Sequence, residues 1–333
     1  MKRSFFGQWN SLLAFLLLIS PLMGSYQDTV EKSFPTDGVG LLKLDFEKSS
    51  LNIDTYDGSD VKISIARSLK HGDKKAFEKE LDRLELNFNQ SGNDISAELK
   101  YKNPINGILG LFGGGRKSLQ FKTTVRLPRH FNLDAGTSGG AIHLKNLTGI
   151  VSLRTSGGSI SVNKVTGDTI ARTSGGGITV GDSHGAMNLR TSGGRIKANG
   201  VKGHLNARTS GGGIHVGDHS GNADVSTSGG SIELGSVKGN ITASTSGGSI
   251  QAVMVGQPDK DCSLRTSGGS IHLKVSPDAN LRIDASTSGG GVKSNLTLSN
   301  PELKRSSLQG QLNSGGPTLK ARTSGGSIQI HSI

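Results

Sequence analysis

From Ile142 onward, apolar residues recur two apart, and the same pair returns eighteen residues later. Ile142, Ile160, Ile178, Ile196, Ile214, Ile232, Ile250, Ile271, Val292 and Ile328 form one column. Leu144, Val162, Val180, Ala198, Val216, Leu234, Ala252, Leu273, Ser294 and Ile330 form the next. A spacing of two is the signature of a strand with one face buried. A second alternating run closes each unit, with Leu153, Ala171, Leu189, Ala207, Val225, Ala243, Leu264, Ala285 and Ala321 facing in. On this reading Ile196 is buried and its neighbour Lys197 faces solvent.

Between the runs stand two kinds of turn. Gly149, Gly167, Gly185, Gly203, Gly221 and Gly239 mark the middle of each exact copy, and Thr-Ser-Gly-Gly marks its end. That tetrapeptide occurs ten times, with threonines at 137, 155, 173, 191, 209, 227 and 245, then 266, 287 and 323. A fixed period of this length signals repeat architecture. One coil cannot bury its own apolar edge, but identical coils stacked about 4.8 Å apart can. The predicted fold is all-β: a parallel β-solenoid with coils of about eighteen residues and an irregular β-rich N-terminal cap. Eighteen residues also suits a left-handed hexapeptide helix, but the apolar columns do not repeat every six; the pattern favours a flattened, right-handed solenoid with two main sheets. The threonine column is expected to face inward, which argues against an ice-binding threonine ladder.

Before His130 the period is absent, yet alternation persists. Strands are predicted at residues 42–46, 51–54, 61–65, 84–89, 95–101 and 119–127, with a short amphipathic helix at 73–83 carrying Phe77 and Leu81. This region should form the irregular first coils and cap the open end. Residues 103–117 form an apolar, glycine-rich excursion around Ile108, Leu109, Leu111 and Phe112, suited either to touching a partner or membrane or to folding back on the body. The domain reading is a leader at 1–24, an irregular region at 25–130 and the repeat solenoid at 131–333. A second irregularity, 296–317, lengthens the ninth coil.

Composition adds a location. Lys2 and Arg3 precede the apolar run Leu12–Ile19, and Gly24 offers a small residue for cleavage near Ser25, the pattern of a secretory leader. Without it no transmembrane span is expected, and the protein belongs in the periplasm, at the cell surface or outside the cell. Of the formal charge of +12, Lys2 and Arg3 leave with the leader. Apolar residues make up 32% of the chain and aromatics 4%, which suits a thin solenoid better than a thick globule. Cys262 is the single cysteine, so no intramolecular disulfide can form, and its place on a second strand makes it a small buried residue.

Candidate chemistry is sparse. Asp168, Asp182, Asp218, Asp224, Glu233, Asp261 and Asp284 scatter over different columns, without the facing carboxylate pair that glycoside hydrolysis needs. His143, His215 and His272 share a column but stand coils apart, and Asp182 with His184 or Asp218 with His219 supplies only two donors to a turn. No catalytic residue, cofactor or metal is assigned. One column stands out: Arg154, Arg172, Arg190 and Arg208 directly precede Thr-Ser-Gly-Gly on four successive coils, and their inward neighbours force them outward. Their stems could simply cover the sheet. Alternatively the row is a basic stripe for a polyanion such as an acidic polysaccharide or an envelope surface. The repeats lack aromatics for base stacking, so specific nucleic-acid binding is not expected.

The run Phe121–Pro128, then Leu133-Asp134-Ala135 and Ser-Gly-Gly-Ala-Ile at 138–142, resembles the bacterial "putative adhesin" β-strand-repeat family, as does the ending 308–316 followed by 323–328. The resemblance spans roughly residues 35–333. It implies an exported β-solenoid and carries over no catalytic residue. This chain uses Gly-Gly where the commoner pattern is Ser-Gly-Asp, which removes a row of acids. The combined reading is an exported, non-enzymatic protein of envelope-associated binding or adhesion. A purely structural spacer is the alternative, and a polysaccharide-acting enzyme comes third.

Overall fold

The computed structural model describes residues 25–70, 73–102 and 119–333. The predicted leader and the whole glycine-rich excursion at 103–117 lie outside them. Among the described residues the strands form two sheets, of sixteen and fifteen strands, and the repeat strands within each sheet run parallel. The all-β parallel solenoid and its two main sheets are as the pattern predicted.

Register explains why the period is so strict. Ile160 pairs with Ile142 below and Ile178 above, and the column continues through Ile196, Ile214, Ile232, Ile250 and Ile271. Each of these isoleucines is at most 1% exposed. Fully burying one such side chain is worth about 1.5–3 kcal/mol. A one-residue slip would turn the whole column out to solvent. Lys197, between two buried residues, is exposed as expected. Facing this column across the thin interior are Leu153, Ala171, Leu189 and Ala207, all fully buried, so large and small residues alternate layer by layer.

The two turns use glycine for different reasons. At mid-coil Gly167 has φ +133°, and a Cβ there would lie 2.1 Å from the Gly149 carbonyl oxygen. In Thr-Ser-Gly-Gly the requirement is close approach: a Cβ on Gly176 would sit 2.0 Å from the Gly158 oxygen of the preceding coil. The threonine fills that turn. Thr173 Oγ1 donates to Gly158 O across the layer at 2.8 Å and accepts from Gly176 N within its own coil at 3.3 Å. Thr155, Thr191, Thr209, Thr227 and Thr245 repeat both bonds. The threonine column is therefore buried with its hydroxyls satisfied, as buried polar groups must be.

Both ends depart from chain order. At the N-terminal end Leu41–Phe46 lies between Asp94–Tyr101 and Asn132–Thr137, and Ser49–Tyr56 lies between Gln120–Pro128 and Ile142–Lys145. At the C-terminal end Thr318–Thr323 lies between Cys262–Arg265 and Leu281–Thr287, and Ile328–Ser332 lies between Ile271–Val275 and Val292–Ser294. The last coil is thus slipped in beneath the ninth. Stacking by sequence alone places Ser286 after Arg265; the structure places Arg322 there. The insertion 296–317 is correspondingly a hairpin, Ser299–Lys304 with Ser307–Leu312, whose second strand pairs antiparallel with Leu281–Thr287 and closes the stack.

Antiparallel strands close the other end too. Val61–Lys70 pairs with Gln120–Pro128, and Ser25–Phe34 pairs outside it. Ser25–Phe34 is absent from the sequence reading because polar residues share its inward positions. Asp28 is 4% exposed and takes both forks of Arg67, with Nε–Oδ1 at 2.7 Å. The predicted helix is Lys74–Leu81, capped by Asp73, whose carboxylate accepts from Ala76 N at 2.7 Å. Its buried residue Phe77 packs near Tyr26 of that outer strand.

Candidate functional site: the arginine groove

Arg154, Arg172, Arg190 and Arg208 stand in strict register on Val151–Thr155, Thr169–Arg172, Met187–Arg190 and Leu205–Arg208. Parallel pairing sets them about 4.8 Å apart. All four are exposed, because the residues on either side of each point into the core. They line an open groove of about 590 Å³ together with the threonine column and Ser174, Ser192 and Ser210. Those serines are exposed, so the groove presents a row of guanidiniums beside a row of hydroxyls.

The row is not uniform. The outward position two residues earlier holds, layer by layer, Asp134, Ser152, Ile170, Asn188, Asn206 and Asp224. Acids therefore flank the row only at its ends. Arg154 donates to Asp134 at 2.8 Å and to Ser152 at 2.9 Å, and Arg208 lies 3.6 Å from Asp224. Arg172 and Arg190 have no ion-pair partner among the described residues. Uncompensated positive charge is thus concentrated on the two middle arginines. Farther along, Arg322 is held by Asp284.

The other candidates tie layers together, stand exposed on the surface or are buried. Asp168 accepts from Ala186 N and Asp261 from Thr318 N, tying one layer to the next. His143 and His272 are exposed, and His215 faces Glu233 of the following layer at 2.9 Å. His184 and Asp182 are exposed on their turn. Among the described residues no group of three His, Cys, Asp or Glu side chains could hold a metal ion. Cys262 is buried, its Sγ accepts from Ile241 N at 3.4 Å, and burial pushes the thiol's pKa up, so it stays protonated.

His219, which the sequence offers with Asp218 as one of two donors on a turn, is turned inward. It occupies the inward column between Val201 and Val237 and is 3% exposed. Nε2 lies 3.2 Å from Asn222 O, while Nδ1 is buried without a partner. Burial lowers its pKa, partly offset by the backbone contacts. The folded protein thus takes up a proton here less readily than the unfolded chain. The contribution is present in full above the unfolded pKa of about 6.5 and is lost as pH falls below it. Denaturant midpoints at pH 7.5 and pH 5 are expected to differ more for the native chain than for His219→Val. An equal difference would show that this imidazole does not carry the effect.

Residues 217–331, about a third of the chain, match the family described as Toastrack DUF4097. No curated protein matches. Among solved structures, a "putative adhesin" of Bacteroides fragilis is 11% identical with a TM-score of 0.34, covering 92% of this chain and 97% of its own. A "putative lipid binding protein" of Parabacteroides distasonis is 12% identical with a TM-score of 0.32, covering 92% and 96%. A "putative cell adhesion protein" of Clostridium sporogenes is 12% identical with a TM-score of 0.21, covering 92% and 100%. Similarity this distant transfers no function.

Proposed function

We propose, from the match of residues 217–331 to the Toastrack family and the solenoid they share with the preceding repeats, that this chain is an exported, adhesin-like binding rod without catalytic activity, which contacts an acidic polymer through the arginine groove. The observation that carries the reading is the pair Arg172 and Arg190, unpaired, in register and open to solvent. Four outward arginines at coil spacing repel one another by up to about 0.8 kcal/mol per neighbouring pair even in water. An anion laid along them relieves that repulsion. Export is supported by Lys2, Arg3 and the apolar run Leu12–Ile19; among the described residues no helix is long and apolar enough to cross a membrane.

The test replaces Arg154, Arg172, Arg190 and Arg208 by serine, the residue this column already uses at 226, 244 and 286. Binding to an acidic polysaccharide is measured at two ionic strengths, with circular dichroism confirming the fold. Affinity for the native chain should fall with salt, and the variant should flatten that slope by up to about one unit per arginine. The control changes Lys145, Lys197, Lys274 and Lys293, exposed on the other sheet, and should leave the slope nearly unchanged. Unchanged affinity in the folded arginine variant would reduce the row to surface covering.

A further inference from the structure

The arginine column does not begin at Arg154. Followed through the register toward the N-terminal cap, the same outward position holds Gly136, then Asp45, then Glu98. All these strands run parallel, so one face carries Glu98, Asp45, Gly136, Arg154, Arg172, Arg190 and Arg208 on successive layers. The two ends of the row are opposite in sign. Asp45 and Glu98 share the single ammonium of Lys100, which leaves them net negative. Arg172 and Arg190 have no ion-pair partner among the described residues.

Such a row is complementary to itself when reversed. Consider a twofold axis between two facing copies, parallel to the strands and midway between the Gly136 and Arg154 layers. It reverses the order of layers and keeps each column opposite itself. Counting outward from the axis, Arg154 meets the partner's Gly136, Arg172 the partner's Asp45 and Arg190 the partner's Glu98. By symmetry each pair occurs twice. No like charges are opposed: Gly136 has no side chain, and Arg154 keeps its own Asp134. In the flanking column Lys43 meets the partner's Ile170 and Asp134 the partner's Ser152, again without repulsion.

The apolar residues of the face select the same axis. Ile150, 67% exposed, lies in the layer next to it, so Ile150 of the two copies would stand about one layer apart. Ile170, 37% exposed, falls opposite Lys43 and therefore beside the partner's Leu41, which is 38% exposed. Within one chain these aliphatic side chains lie open on an otherwise polar sheet face; across the axis they cover one another.

We propose that this face is a homodimer interface: two rods lie antiparallel, face to face, joined by Arg172 with Asp45 and Arg190 with Glu98. The facing layers run from Glu98 to Arg190, and at strand spacing they cover on the order of 600 Å² per partner. That is the low end for a specific interface, so the dimer exchanges readily and loosens with salt. It occupies the two arginines that the acidic-polymer reading uses, so dimer and polymer exclude each other. The self-complementary row is present whether or not a polymer binds.

The test is sedimentation velocity at low salt over a range of protein concentrations, with circular dichroism confirming the fold of each variant. The native chain should pass from monomer to dimer. Asp45→Arg with Glu98→Arg should weaken the dimer on the order of a hundredfold, about threefold for each of four exposed ion pairs lost. Arg172→Glu with Arg190→Glu should do the same. An equimolar mixture of the two variants should recover the dimer, because every facing pair is again of opposite sign. The chain with Asp45→Arg and Glu98→Arg should still bind an acidic polysaccharide, which separates this interface from the polymer reading. A native chain that stays monomeric up to about millimolar concentration would overturn the proposal, as would a dimer indifferent to both reversals. Failure of the folded variants to pair on mixing would overturn the antiparallel register.

Discussion

Gly176→Ala is expected to destabilise the solenoid by more than about 3 kcal/mol, whereas Gly175→Ala, one residue earlier in the same turn, is expected to be neutral or slightly stabilising. Composition alone treats the two glycines as equivalent. A methyl on Gly175 would have Gly157 O at 3.5 Å and Ser156 O at 3.6 Å, which is ordinary contact. A methyl on Gly176 would lie 2.0 Å from Gly158 O, 2.4 Å from Gly158 C and 2.7 Å from Ser159 N. All three are backbone atoms, and backbone paired on both sheets cannot move aside cheaply. The same carbonyl oxygen accepts the Thr173 hydroxyl, so separating the layers also strips a buried hydrogen bond. Gly175→Ala, by contrast, mainly restricts the unfolded chain, a gain of about 0.4–1 kcal/mol where the native backbone tolerates alanine. Denaturant melts of the two variants, with hydrogen exchange to locate the loss, separate the cases. Equal melts would mean that the layers are not packed on glycine.

The in-and-out pattern of the coils was legible because a strand period of two and a coil period of eighteen both show in Ile142, Ile160 and Ile178. The buried threonine was legible for the same reason. Layer order at the ends was not. Every coil offers the next the same edge, and the coil carrying Thr287 could sit as well on Thr266 as on Thr323. The thirty-six-residue step to Thr323 was the available signal, since it is long enough for a hairpin that runs out and back. The strand Ser25–Phe34 escaped because Asp28, an inward residue, is polar, and its burial depends on Arg67 thirty-nine residues away. The neutralised arginines could have been found. Asp134 precedes Arg154 by twenty residues, one coil plus two, which is the diagonal neighbour on the same face. His219 could also have been placed, since Val201 and Val237 occupy its column one period away on either side.

The second large effect concerns the C-terminal coil. Removing residues 317–333 is expected to cost at least about 5 kcal/mol and to unprotect the strands from Cys262 to Leu312 in hydrogen exchange. Leu319, Ala321, Ile328 and Ile330 are all fully buried, and burial of each large one is worth about 1.5–3 kcal/mol. Because this coil lies between two others, its loss also bares the inner edges of both neighbours. In chain-order stacking the same deletion would merely fray one end, as expected of a solenoid whose coils contact only nearest neighbours. Cysteine pairs distinguish the arrangements directly, in a Cys262→Ala background that removes the native thiol. Ser263 and Lys320 are register partners, so Ser263→Cys with Lys320→Cys should oxidise to a disulfide. Asp284 lies beyond Lys320, two layers or about 9.6 Å from Ser263, past the roughly 7 Å that a disulfide spans between Cα atoms. Ser263→Cys with Asp284→Cys should therefore stay reduced. The opposite outcome, a bond from 263 to 284 and none from 263 to 320, would restore the order of the chain.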